Sequence, residues 1–227
     1  MKQIILILLF SVTVISAQWS TDPASPQSLG SGIQAQLAAT SDGGVYVAWL
    51  SDGNNYQVYL QRLNSSGEPQ WDDNGMVVSN NDNATWIAVY HLNLAVDSED
   101  NAIITTVDQR TGDTWEVYAY KLAPDGSMLW GVDGVALTAS GVSNMSPRLT
   151  VLPDNSVVVT WTHDNNSVLL QRISSTGALL WDTGILIEDD DAIGVLSPKP
   201  IVTAGGYVLI QWIRQSGAYP WAPDSEL

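Results

Sequence analysis

The chain has 227 residues, of which 24 are acidic, 8 are basic and none is cysteine. Its net charge of −16 repels phosphate backbones and anionic lipid surfaces, which argues against nucleic acid as a partner and against docking on membranes. A chain without cysteine has no disulfides, thiol nucleophiles or zinc–thiolate sites.

The first seventeen residues have the pattern of an export signal. Lys2 supplies a positive charge, residues 4–15 are mostly apolar, and Ser16-Ala17 offers a small-residue cleavage point. The apolar run is shorter than the roughly 20 residues that a transmembrane helix needs. We therefore predict a signal peptide over 1–17, a mature repeat domain over 18–227, and a secreted or cell-surface location without membrane insertion.

The mature chain begins with a segment that resembles part of a later repeat. Gln18-Trp19 matches Gln70-Trp71, and the two tryptophans are 52 positions apart. We therefore predict that residues 18–29 form a strand that completes another blade.

A repeat of fifty-odd residues runs through the rest of the chain. In three units an apolar strand leads to a turn ending in glycine, and a tryptophan follows that glycine by four positions. These pairs are Gly67 and Trp71, Gly126 and Trp130, and Gly177 and Trp181.

A second apolar strand precedes each of these segments. Val45–Trp49 matches Val157–Trp161 and Val208–Trp212, and each follows a Gly-, Asn- or Asp-containing turn typical of tight hairpins. The pattern predicts four strands per unit, near 33–40, 44–50, 57–63 and 70–79 in the first. The units span roughly 33–80, 88–140, 147–190 and, in part, 199–227.

The strand pattern favours propeller blades over a sandwich. Residues 45–50 are apolar on both faces, as in a strand buried between neighbouring blades. We predict an all-β, β-propeller-like array of four-stranded antiparallel blades, with about three full blades plus partial ones. After Trp212 no third strand is recognisable, so the chain is either a small four-bladed ring or, as we favour, a fragment of an incomplete propeller.

Residues 58–71, Val-Tyr-Leu-Gln-Arg-Leu followed by Gly67 and Trp71, resemble repeats of large exported bacterial surface proteins. Those proteins often carry a type IX secretion sorting domain. The resemblance implies export and a propeller-like array, and it implies no catalytic residues.

One face of such an array collects two kinds of connection. They join the second strand to the third, and the fourth strand to the first strand of the next blade. Binding residues often lie on loops held by a rigid scaffold, and aromatic rings beside carboxylates suit saccharide or protein ligands. Solvated loops are the competing interpretation. The candidate ligand-binding residues are Tyr56, Trp86, Asp108, Arg110, Trp115, His163 and Asp164.

The densest acidic run, Glu188, Asp189, Asp190 and Asp191, is a candidate Ca²⁺ site because hard cations take several oxygen ligands. It lacks the alternating spacing of a dedicated calcium loop, so solvated charge is the alternative. No other cofactor is expected.

The basic residues Arg62, Lys121 and Arg172 recur at one place in the third strand. A position that is basic in every blade indicates framework, with each stem lying over its neighbours and each charge pairing with an acid.

The familiar catalytic signatures, among them G-x-S-x-G and H-E-x-x-H, are missing. The leading hypothesis is therefore a secreted non-enzymatic binding or scaffold module, of the kind found in cell-surface or adhesive proteins. One alternative is a secreted carbohydrate-active enzyme with paired carboxylates such as Asp108 and Asp164. The other alternative is a purely structural spacer.

Overall fold

The structure is a computed structural model that describes residues 22–51, 56–81, 92–112, 114–138, 141–190, 194–216 and 224–226. The predicted signal peptide and Trp19 lie outside these residues. Within them, no helix has the length and apolarity that crossing a bilayer would require.

The described chain forms four antiparallel sheets, and in each sheet the strands lie side by side in chain order. The first sheet contains β1 (Ile33–Ala39), β2 (Val45–Leu50), β3 (Val58–Leu63) and β4 (Met76–Ser79). The second contains β5 (Asn93–Val96), β6 (Ala102–Asp108), β7 (Glu116–Leu122) and β8 (Val135–Ala136). The third contains β9 (Asn144–Val151), β10 (Val157–His163), β11 (Ser167–Ile173) and β12 (Ile185–Ile187). The fourth contains β13 (Gly194–Val202), β14 (Val208–Ser216) and β15 (Asp224–Glu226).

The predicted fold class is therefore confirmed, with three four-stranded sheets and a fourth of three strands. Expecting no third strand after Trp212 was wrong, because β15 pairs antiparallel with β14. The strand is the polar tripeptide Asp-Ser-Glu, which carries no apolar alternation that sequence reasoning could detect.

The four first strands lie together at the centre. β1 contacts β5, β5 contacts β9, and β9 contacts β13. β6 is buried along its whole length, whereas β1 alternates between half-buried and exposed residues. This is the arrangement of propeller blades, in which inner strands border a central space and middle strands are covered on both faces.

The glycine and tryptophan of the repeat join successive blades. A Cβ built on Gly126 would lie 3.4 Å from Trp71, and one built on Gly177 would lie 2.9 Å from Trp130. The tryptophan of one blade therefore covers the turn glycine of the next. Both glycines have positive φ, +89° and +94°, so side chains are excluded there by backbone conformation as well as by contact.

The recurring basic residues of the third strands are framework, as predicted. Arg62 pairs with Asp42, Lys121 with Asp97 and Arg172 with Asp154, at 2.5–2.7 Å, each aspartate lying at the turn between the first two strands of its own blade. Lys121 also donates to the carbonyl of Ser175 in the next blade. The basic residue therefore recurs because in each of these three blades it holds the same turn through an ion pair.

Candidate functional site

A cavity of about 440 Å³ lies where the four first strands meet, and we call it the axial cavity. Its lining comes from all four sheets. The lining residues are Gln34, Gln36, Leu92, Asn93, Arg148, Leu149, Lys199 and Pro200.

Four of these residues occupy one equivalent position in the four blades, and we call them the axial ring: Gln36, Asn93, Arg148 and Lys199. Their strand partners are Ala48, Thr105, Thr160 and Gln211, each the fourth residue of its second strand. Residues at one register position in successive blades point the same way relative to the axis. The axial ring therefore presents two amides, one guanidinium and one ammonium to a common space.

An irregularity in the first strand precedes the ring position in three blades. In the first blade the register shifts between Ile33 and Gln36, and in the fourth between Leu196 and Lys199. In the third blade it shifts between Thr160 and Thr162 of β10, which face residues 145–148 of β9. Each shift marks a β-bulge. Each bulge contains one residue in the left-handed region, Gln34, Ser146 or Ser197, with φ of 54°, 55° and 51°. Bulges re-aim the side chains that follow them and are frequent next to functional sites.

The axial ring is cationic although the chain is strongly acidic. Arg148 and Lys199 line the axial cavity, and its described lining includes no carboxylate. Arg148 is half-buried, and burial lowers the pKa of its guanidinium, yet an arginine stays charged at any physiological pH. The cavity thus holds two positive charges without an acidic neighbour in its lining.

A second cavity of about 300 Å³ adjoins the axial cavity and shares Arg148 and Lys199 with it. Both bulge serines and Gln211 also line it, so hydroxyl and amide groups surround the two cations. The combination of half-buried Arg148 and exposed Lys199 with neutral hydrogen-bonding groups suits a polyhydroxylated ligand that carries negative charge.

The loop-face residues predicted from the sequence lie elsewhere. Asp108 has no exposed surface, and its carboxylate accepts hydrogen bonds from Nε and Nη2 of Arg110 at 2.6–3.1 Å. The Arg110 guanidinium also lies 3.5 Å from the centre of the Tyr118 ring and bonds the Tyr120 hydroxyl. Burial alone would lower the pKa of Arg110, but the hydrogen bonds and charge of Asp108 raise it above its usual value.

Sequence reasoning missed the buried acid in this cluster. Glu116 is the antiparallel partner of Asp108 and is 2% exposed. The Tyr118 hydroxyl donates to its Oε2 at 3.1 Å, while its Oε1 has no hydrogen-bond partner among the described residues. Asp108, Arg110, Glu116, Tyr118 and Tyr120 form what we call the Asp108 cluster. Neither of its carboxylates is reachable by a ligand in this conformation, so the cluster is part of the framework.

His163 and Trp115 are brought together by Asn144, which the sequence did not single out. The Asn144 amide donates to the carbonyls of Trp115 and Val142 at 3.2 and 3.0 Å. Its Oδ1 then accepts from Trp161 Nε1 at 3.0 Å and lies 2.8 Å from His163 Nδ1, which must therefore carry the proton. This network joins the second and third blades on the loop face.

His163 also lines a cavity of about 460 Å³ between these two blades. Leu137, Leu169 and Leu179 form much of its wall, and Asp182 contributes the carboxylate. Asp164 lies in the turn after β10, with φ of 48°, and does not line this cavity. Asp108 is absent from the lining as well, so the predicted pair Asp108 and Asp164 does not share it.

The remaining predicted residues are dispersed. Tyr56 is half-buried with φ of 54°, and Trp86 and Asp191 lie outside the described residues. In the acidic run, Asp189 accepts a hydrogen bond from Arg214 at 2.6 Å. Within the described ranges, no three acidic or imidazole groups come close enough to hold a metal ion. The Ca²⁺ site, which included Asp191, remains a prediction.

Comparisons with known proteins place the fold. No known protein family and no curated protein matches the sequence. An endo-1,4-β-xylanase from Bacteroides thetaiotaomicron has a similar structure, with a TM-score of 0.50 at 10% identity over 87% of this chain and 69% of the xylanase. The match to an α-L-arabinofuranosidase from Lactobacillus brevis covers 86% of this chain and 71% of the arabinofuranosidase, with 11% identity and a TM-score of 0.46. The match to an endo-arabinase from B. thetaiotaomicron covers 79% of this chain and 69% of the arabinase, with 15% identity and a TM-score of 0.41.

These comparisons correct the leading hypothesis drawn from the sequence. A non-enzymatic binding or scaffold module was wrong as the first choice, because the xylanase that shares the architecture is an enzyme. The spacer alternative predicted a surface without a cleft, whereas all four blades line the open axial cavity. The signal that could have found this site is the recurrence of Ser146-Pro147-Arg148 and Ser197-Pro198-Lys199, which is visible without a structure.

The repeat within the sequence and the architecture shared with the xylanase therefore agree on a β-propeller fold. At 10% identity this likeness describes the fold of the chain, which is that of a β-propeller with its polar site on the axis.

Proposed function

We propose that this chain is an exported carbohydrate-active enzyme of the glycoside hydrolase type that holds its saccharide in the axial cavity. The observation that carries the proposal is the axial ring, in which four blades each direct one polar side chain into a single cavity. Its volume of about 440 Å³ falls within the range of small-molecule sites, roughly 300–1,000 Å³.

The ring supplies what sugar recognition needs. Saccharides present several hydroxyl groups, and amides offer both donors and acceptors to them. Asn93 is held in place because its Oδ1 accepts the backbone N–H of Leu149 from the next blade at 2.8 Å, which leaves its amide nitrogen to donate. The neighbouring Gln36 donates to the carbonyl of Ala35 at 3.2 Å, which leaves its Oε1 to accept.

The described lining contains no carboxylate, so the role of the axial ring is to bind and orient the sugar. Cleavage of a glycosidic bond uses a pair of carboxyl groups about 5–10 Å apart. The framework position of Asp108 and Glu116 removes them from this role, and we assign no acid or base.

The test is to incubate the purified chain with xylan, arabinan and polygalacturonate and to measure reducing-sugar release, with affinity electrophoresis as the binding readout. We expect retardation and sugar release with at least one polymer. Gln36→Ala should weaken both, whereas the matched control Gln70→Ala, an exposed residue of a hairpin turn, should leave both unchanged. Absence of retardation and of release with all three polymers would contradict the proposal.

A further inference from the structure

The two cations of the axial ring differ from every other described basic side chain. All basic residues except Lys2 lie in described ranges. Five of them form ion pairs with aspartates: Arg62, Arg110, Lys121, Arg172 and Arg214. The other two, Arg148 and Lys199, have no acidic partner among the described residues, and both line the axial cavity.

Chance does not account well for the finding that both basic residues without an acidic partner line the same cavity. The chain has three acids for every basic residue, 24 against 8, so a basic side chain at a random surface position readily meets a carboxylate. The two unpaired cations also lie at equivalent positions in adjacent blades, one on β9 and one on β13, strands that contact each other. Both follow a Ser-Pro dipeptide whose serine is in the left-handed region. The fold thus directs two positive charges to one place and keeps the described acids out of its lining.

An unpaired, half-buried guanidinium costs stability, because burial removes water from a charge without replacing it. The lowered pKa of Arg148 has burial as its only cause, with no compensating charge or hydrogen bond. An anion in the cavity would supply the missing partner. The planar fork of arginine matches a carboxylate with two parallel hydrogen bonds, and the ammonium of Lys199 adds a second positive charge.

We propose that the saccharide bound in the axial cavity is acidic, with a uronate carboxylate held between Arg148 and Lys199. The hydroxyl groups of the same sugar face the neutral groups that line the two adjoining cavities, Gln36 and Asn93 on one side and Ser146, Ser197 and Gln211 on the other. This inference rests on the proposed saccharide site and names its substrate class.

The test is isothermal titration calorimetry of the full chain with four trisaccharides. These are trigalacturonate, its fully methyl-esterified form, xylotriose and a sulfated trisaccharide. Trigalacturonate should bind at least about tenfold more tightly than its ester, as expected for a charge-assisted contact. Its affinity should fall when sodium chloride is raised, because salt screens the attraction.

Variants test the two residues directly. Arg148→Gln and Lys199→Gln should each weaken trigalacturonate binding about tenfold or more while leaving xylotriose binding within about twofold. The matched control is Arg172→Gln, which removes the same charge from β11 of the same sheet as Arg148, outside both cavities. It should leave both affinities unchanged. Thermal midpoints of all variants serve as the folding check.

The outcomes separate the two proposals. If xylotriose and trigalacturonate bind equally well, or if Arg148→Gln leaves trigalacturonate binding intact, the acidic substrate is excluded while the saccharide site stands. Tighter binding of the sulfated trisaccharide than of trigalacturonate would overturn the assignment to a carboxylate. If none of the four binds, the saccharide site itself is wrong.

Discussion

The Asp108 cluster and the axial ring each contain an arginine, and the two arginines are in opposite states. Arg110 has a buried carboxylate, an aromatic face and a tyrosine hydroxyl as partners. Arg148 is half-buried and has no carboxylate, aromatic ring or hydroxyl partner among the described residues. A charge whose partners are all supplied by its own chain stabilises the fold, whereas one left without a partner is available to a ligand. The difference separates framework from site more clearly than residue type or exposure does.

The largest expected effect on the free energy of unfolding comes from a substitution in the Asp108 cluster. Arg110→Met leaves Asp108 buried without its counter-charge, and breaking a buried ion pair in this way costs about 3–5 kcal/mol. The free energy of unfolding from urea titration measures the loss. Arg172→Met, at an exposed pair, should cost less than about 1 kcal/mol. Equal losses in the two variants would place Arg110 outside the framework.

The pH dependence of stability sharpens the same comparison. Burial alone would raise the pKa of Asp97, but hydrogen bonds from Lys121, Asn101 and Glu99 outweigh it and lower that pKa below 3.8. Because the folded pKa lies below the unfolded one, the stabilisation is complete above pH 3.8 and is lost as the pH falls through the folded pKa.

We therefore expect the thermal midpoint to drop steeply below about pH 4. Asp97→Asn should have a lower midpoint at neutral pH and a shallower acid slope, since its amide does not titrate. An unchanged acid slope in this variant would show that Asp97 carries no part of the acid sensitivity. Arg148 stays charged throughout this range, so acid should not change the charge of the axial ring.

The smallest expected effect on the free energy of unfolding comes from a substitution in the axial ring. Arg148→Gln removes an unpaired charge from a half-buried position, so we expect no loss of stability and a gain of up to about 1 kcal/mol. Urea titration alongside Arg110→Met gives the comparison directly. A loss of more than about 1 kcal/mol would mean that Arg148 has a structural partner and belongs to the framework.

Much of the architecture was accessible from the sequence because it is local and repeated. The alternation of strands, the turn glycines and the spacing of Gly126 and Trp130 each involve residues within one unit, so three copies make the pattern visible. The basic residues of the third strands could be assigned to framework for the same reason, since equivalence in every blade indicates a common structural role.

The candidate site was not accessible in the same way. Reasoning from loops led to Asp108, Arg110 and His163, which have polar side chains at strand ends but are held by internal partners. Whether a polar group is satisfied depends on contacts across strands and between blades, as with Glu116 opposite Asp108 and Asn144 beside Trp115. No sequence pattern encodes those contacts.

What the sequence determined by itself is the repeating all-β unit, its turns and its acidic surface, because propensity, alternation and charge act over a few residues. What only the tertiary structure decided is that Gln36, Asn93, Arg148 and Lys199, each some fifty residues from the next, meet around one cavity. The physical reason is that blades packed about an axis bring equivalent positions of their inner strands together. Which of those positions retain an unpaired charge depends on every acid that the fold places nearby.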